Sequence, residues 1–192
     1  MSIVQPIATR RSATGISTGK LAIWWVLGSE IVIFGGLLVA YLVNRLLYDN
    51  WADEAAHTNV IAGSINTLVL LTSSLSAVLA HHAAEQGNGK KAFIYLWLTI
   101  GGAMTFLVVK SIEWTYEIVN GYTITSNTFW SFYYTAAGLH GLHVIAGAII
   151  MGFVSFEALK NKNLHRVELI GIYWHFVDIV WIFLFPLLYI AK

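Results

Sequence analysis

Five apolar runs, each long enough to cross a lipid bilayer and separated only by short polar turns, restrict this chain to very few folds. They cover roughly residues 21–47, 60–84, 92–119, 129–159 and 169–191. About 20 mostly apolar residues cross the hydrocarbon core as a helix. Lipid offers the backbone no hydrogen bonds, so the spanning structure must be helical or a closed barrel. A barrel shows alternating segments of about ten residues instead. Pro6 and Pro186 are the only prolines, and both lie away from the middles of the runs. The fold class is therefore all-α, an integral membrane bundle of five transmembrane helices. Residues 1–19 form a polar N-terminal segment, and residues 20–192 a single membrane domain. The connections 48–59, 85–91, 120–128 and 160–168 are too short to hold a soluble domain.

Charge sets the orientation. Arg10, Arg11, Lys20, Lys90, Lys91, Lys160, Lys162 and Arg166 fall on the side of the N-terminus and the even-numbered loops, against Arg45 and Lys192 near the opposite face. Cytoplasmic loops carry the excess of Lys and Arg, which puts the N-terminus in the cytoplasm and the C-terminus outside. A signal peptide is rejected because the first run is too long and no small-residue cleavage site closes it. With a net charge of +1 and no long basic run, a nucleic-acid partner has no electrostatic footprint. The absence of cysteine rules out thiolate chemistry and disulfides.

Ionisable residues inside the runs are the functional candidates, since a charge at membrane depth is costly and needs a partner or a task. Glu30 lies about 15 Å along its helix from Lys20, near mid-membrane. His140 and His143 share one helical face in the fourth run, as do His175 and Asp178 in the fifth. Counted from the helix ends, Glu30, His143, His175 and Asp178 fall at similar depth, so these residues are expected to form one buried polar cluster, proton-related or structural. Three readings stand open at this point. His143 and His175 could ligate a haem b from opposed helices. Glu30, His140, His143 and Asp178 could hold a non-haem metal, although the Glu-x-x-His pattern of di-metal bundles is absent. A metal-free polar lock between the first, fourth and fifth helices is the third reading. An ion-coupled transporter using Glu30 and Asp178 lacks the broken helices and repeats that such proteins show.

Small hydroxyl residues, among them Thr67, Thr72, Ser73, Ser74 and Ser76, suit the second helix to a buried position. At its cytoplasmic end, His81 and His82 read as an interfacial pair touching lipid headgroups or another subunit. Lys110, Glu113 and Glu117 read as an interfacial anchor at the outer end of the third helix, with Lys110 snorkelling beside Trp114, Tyr116 and Tyr122.

Four motifs in order carry a resemblance. Gly28-Ser-Glu30, then Asn66-Thr67 with Ala80-His-His-Ala83, then Gly138-Leu-His-Gly-Leu-His-Val144, and Tyr173-Trp-His-Phe-Val-Asp-Ile-Val-Trp181 are similar to subunit III of the haem-copper oxidases, with Glu113-Trp-Thr-Tyr-Glu117 adding to the match. The resemblance covers nearly the whole hydrophobic part. It implies a subunit without catalytic residues or metal of its own, packed against oxidase subunit I, which carries the haems and copper, and accompanied by subunit II. It further implies contacts with membrane lipids, bound phospholipid and a larger respiratory supercomplex as wider partners, in a bacterial cytoplasmic membrane. Glu30 would be the family's buried carboxylate, in a complex that reduces oxygen and translocates protons. Long family members place two further helices ahead of the Ser-Glu helix, whereas this sequence has five runs in all. The five-run form also resembles the short companions of quinol oxidases and nitric oxide reductases.

Overall fold

The computed structural model describes residues 15–48 and 51–190. Arg10, Arg11, Asp49 and Lys192, and most of the polar N-terminal segment, lie outside the described residues. Five helices long and apolar enough to span a membrane are present: α1 (Thr18–Leu47), α3 (Val60–Glu85), α4 (Gly89–Val119), α5 (Thr128–Leu159) and α6 (His165–Phe185). A short helix, α2 (Trp51–Ala55), lies in the first connection, and the chain leaves α6 through a π-helical stretch, Pro186–Ile190. α1, α4 and α5 start one to three residues before their apolar runs, where polar caps precede them, and α6 starts four residues before its run without a side-chain cap. Ser17, Asn59, Asn88 and Asn127 each accept a hydrogen bond from the backbone N–H three residues on, satisfying one orphan donor of α1, α3, α4 and α5 respectively.

The helices are not equivalent. α3, α4, α5 and α6 close a four-helix ring in which each packs on its two neighbours, and α1 lies outside it against α5 and α6. Of α1 only Leu27, Phe34 and Tyr41 are buried, one residue every two turns. So narrow a seam suits a helix with a single line of contact. Inside the ring, the hydroxyls of α3 bond across to its neighbours, as expected of a buried helix. Ser76 meets Thr99 of α4 at 2.7 Å. Trp174 and Trp181 of α6 donate from their indole nitrogens to Ser73 at 3.2 Å and to Thr67 at 3.0 Å. Thr72 instead bonds back to its own helix on the exposed side.

Both ends of the bundle are tied by specific contacts. Where α4 begins, Gly89 N–H donates to Asn161 Oδ1 at 3.0 Å, joining the α3–α4 and α5–α6 connections. Asn161 and Asn163 take the left-handed backbone conformation in that second turn, which asparagine tolerates better than most residues. At the other end, proline ends regular hydrogen bonding in α6 and the chain widens into the π turn. Leu187 O is then capped from outside by the Tyr41 hydroxyl at 2.5 Å, and Leu188 O lies 3.5 Å from the Thr58 hydroxyl, whose hydrogen goes to Ala55 O at 2.8 Å. Trp51 donates to the Tyr41 oxygen at 3.0 Å, which ties α2 to the same point.

Candidate functional site

The five residues expected to form one cluster are distributed over separate helix seams. Glu30 of α1 and His143 of α5 do meet, with Oε2 and Nε2 3.0 Å apart and both side chains mostly covered. The contact has ion-pair distance but not hydrogen-bond alignment. His143 Nδ1 lies 2.8 Å from Leu139 O, which can only accept, so Nδ1 carries a hydrogen and Nε2 faces Glu30. Neutral His143 would then offer Glu30 only a lone pair.

His175 lies elsewhere, between α6 and α3, with Nδ1 2.6 Å from Ser74 Oγ. Asp178, one turn further along α6, is buried, and neither carboxyl oxygen has a hydrogen-bond partner among the described residues. His140 is fully buried between Phe106 and Trp181, with neither ring nitrogen partnered among the described residues. The haem arrangement needs His143 and His175 to face one another, but they point into the α1–α5 and α3–α6 seams. No group of three or more His, Asp or Glu side chains suited to a metal ion occurs among the described residues.

Glu30–His143 is accompanied by two other polar clasps between α1 and its neighbours among the described residues. Lys20 pairs with Glu168 of α6 at 2.5 Å near one end, and Tyr41 caps α6 at the other. Glu30→Gln puts a side chain of the same shape that can still hydrogen-bond at the central clasp and is expected to leave the unfolding midpoint of the purified protein nearly unchanged. His143→Leu strands the Glu30 carboxyl and should cost about 1 to 3 kcal/mol. Equal midpoints for the two variants would show that the clasp carries no load.

His81 and His82 end α3 beside Glu85, at 3.5 and 3.9 Å respectively, and His82 also meets Gln86 at 3.0 Å. His82 is exposed and His81 half-buried.

The reading of Lys110, Glu113 and Glu117 as an interfacial anchor is corrected. All three are buried, with relative exposures of 4%, 4% and 2%. They continue the inward stripe Leu96, Thr99, Ala103 and Phe106 of α4, and that stripe meets hydroxyl partners on α5 and beyond α6. Lys110 Nζ donates to Glu113 Oε2 at 3.1 Å, to the Tyr133 hydroxyl at 2.8 Å, and to the Tyr189 hydroxyl. The Tyr133 hydroxyl lies 2.9 Å from Glu113 Oε1 and 2.8 Å from Glu117 Oε1. Lys110 does not snorkel, because the rings of Tyr133, Tyr189, Trp114 and Trp181 surround its ammonium at 4.4 to 5.9 Å. The strongest polar constellation in the ring is therefore one that the sequence reading assigned to the surface.

Comparison with known proteins gives these positions a context. The family model described as cytochrome c oxidase subunit III matches residues 8–192. A cytochrome c oxidase subunit 3 of Thermostichus vulcanus is 34% identical over 167 residues, covering 84% of this chain and 82% of that protein. A quinol oxidase subunit 3 of Bacillus subtilis (strain 168) is 31% identical over 183 residues, 90% of this chain and 88% of that one. A heme-copper oxidase subunit I+III of Aeropyrum pernix is 32% identical over 184 residues, covering 90% of this chain but 22% of its own length. Five apolar spans and bacterial relatives make this a multi-pass protein of the bacterial inner membrane. Matched over almost its whole length, the chain belongs to the cytochrome c oxidase subunit III family and serves as a non-catalytic subunit of an oxidoreductase complex.

Proposed function

We propose that this chain packs beside subunit I, the haem- and copper-bearing subunit of a cytochrome c oxidase, with subunit II in the same complex, and holds no redox centre of its own. In this reading the N-terminus and the α3–α4 and α5–α6 connections face the cytoplasm, and the C-terminus faces outside, because the cationic residues gather on the first of these sides. Residues 1–19 form the polar cytoplasmic segment and residues 20–192 one membrane domain. The observation that carries the reading is the family match over residues 8–192. The Aeropyrum pernix relative, named as subunits I and III in one, supports a direct contact with subunit I. Glu30 and His143 act as a structural clasp between α1 and α5. His175 and Asp178 are interior polar residues of the ring, and His140 lies in its aromatic core. His81 and His82 meet lipid headgroups or a neighbouring subunit on the cytoplasmic side. Bound phospholipid along the apolar outer faces and a larger respiratory assembly fit the same picture.

A second reading keeps the subunit role and replaces cytochrome c by a quinol as donor, which the Bacillus subtilis relative favours. Purification of the complex through a tag on this chain tests both. Copurification of a large haem-bearing subunit is expected, and a second subunit carrying a dinuclear copper centre marks the cytochrome c type. A copper-free second subunit favours the quinol reading. Recovery of the chain without any haem-bearing partner overturns the assignment.

A further inference from the structure

Two carboxyl groups and one ammonium occupy the buried outer half of the ring, and neither their charges nor their hydrogens balance if all three are ionised. Lys110 has three N–H donors, and all are used, on Glu113, Tyr133 and Tyr189. None remains for Glu117. The Tyr133 oxygen has one hydrogen and two lone pairs. One lone pair accepts from Lys110, while two carboxyl oxygens lie 2.9 and 2.8 Å away. A single phenolic hydrogen serves only one of them; the Tyr189 hydroxyl, 3.3 Å from the Tyr133 oxygen, adds a hydrogen to the site but cannot stand between Tyr133 and a carboxyl, so at the second short contact the carboxyl must bring its own. Charge gives the same answer: a second buried carboxylate beside a single ammonium would be an uncompensated ion, which a dry interior strongly disfavours.

We propose that Lys110, Glu113, Glu117, Tyr133 and Tyr189 form a buried binding site for one proton, held on Glu117 while Glu113 stays ionised beside Lys110. Glu117 is the acid because its other oxygen has no short donor. The nearest phenol there, Tyr134, lies 3.5 Å away and gives its hydrogen to Tyr122 O at 2.8 Å. Tyr133 links the two carboxyls and makes the proton transferable. The Glu117 hydrogen passes to the Tyr133 oxygen as the phenolic hydrogen passes to Glu113 Oε1. Glu117 becomes the carboxylate, Glu113 the acid, and Tyr133 remains a neutral phenol. Lys110 favours the arrangement with the negative charge on Glu113.

Exchange with the outside has a short route. Glu113 lines a cleft of about 250 Å³ together with Asn59, Ala62, Val109, Ile112 and Tyr116, at the same end of the bundle as the α4–α5 connection. The other ionisable groups near the site are His140 of α5, packed between Phe106 and Trp181, and Glu54 of α2, held at 2.9 Å by the indole N–H of Trp130. His57 stacks on Tyr122 just beyond. None of these three has a hydrogen bond to either carboxyl of the site, so the two-glutamate count stands.

Infrared difference spectra of the intact complex, wild type minus variant, in H2O and D2O, test the proposal. Subtracting Glu117→Gln should reveal one carboxylic-acid C=O band that shifts down in D2O, with no missing carboxylate band. A difference showing lost carboxylate bands and no acid band overturns it. Glu113→Gln gives an independent reading if the first variant does not assemble. Lys110 then has only Glu117 to pair with, so the acid band should vanish, and its persistence would contradict the assignment. In Tyr133→Phe the acid band should remain but move, because its hydrogen-bond partner is gone. An unmoved band excludes Tyr133 as the link.

Discussion

Lys110→Met should be the most damaging single change in the ring, costing about 3 to 5 kcal/mol, the range for removing one partner of a buried ion pair. Methionine fills similar space among the four aromatic rings, so packing changes little and the loss falls on Glu113. That carboxylate would keep only phenol partners, and Tyr133 and Tyr189 would each lose the donor that now fixes them. The unfolding midpoint and yield of the purified complex measure the effect. Adding Glu113→Gln to Lys110→Met should restore much of it, since a neutral amide leaves no stranded charge. Additive losses in the double variant would mean that the two residues do not act as a pair.

Gly89→Ala should be comparably severe for a different reason. A methyl group on Gly89 would run into the Ala158 carbonyl oxygen and the Asn161 side chain, where the start of α4 meets the end of α5. Backbone cannot yield there as a flexible side chain could. The start of α4 would have to move away, losing the Gly89–Asn161 hydrogen bond as well. Overpacking costs typically about 1 to 3 kcal/mol, and the lost hydrogen bond about 1 more. Gly101→Ala in the same helix is the control, because a methyl group there meets no neighbouring atom within 4 Å. Intact complex should be recovered from Gly101→Ala at near wild-type yield and from Gly89→Ala at a small fraction of it. Equal yields would show that the close approach is not required.

The five spans were legible because each depends only on local composition and length, and the four capping residues moved their starts by a few residues at most. Of the residues expected in one cluster with Glu30, His143 is the one that meets it among the described residues. His140, His175 and Asp178 show where matched depth stops being informative. Depth fixes a position along the axis, but the direction around each helix decides the partner, and that direction is set by the packing of the whole ring. Lys110, Glu113 and Glu117 were misread because charge near a helix end suggests an interface. Their spacing held the better signal, for it extends the alternating three-and-four stripe of Leu96, Thr99, Ala103 and Phe106 without a break. A charged residue in phase with a buried stripe is more informative than its distance from the helix end. The short helix α2 escaped notice because five residues carry too little periodicity, and its place is fixed by Trp51 on Tyr41 and by Glu54 on Trp130.

His143 and His175 each engage Nδ1 within a different seam, and His140 is enclosed by aromatic rings. In the proposed reading the interior polar groups hold helices together and bind a proton, and the subunit holds no redox centre of its own. Haem and copper analysis of the purified full-length chain, separated from its partners and still helical by circular dichroism, tests this most directly. The account predicts neither haem nor copper in stoichiometric amount. One haem per chain, lost on replacing His143 or His175, would contradict it.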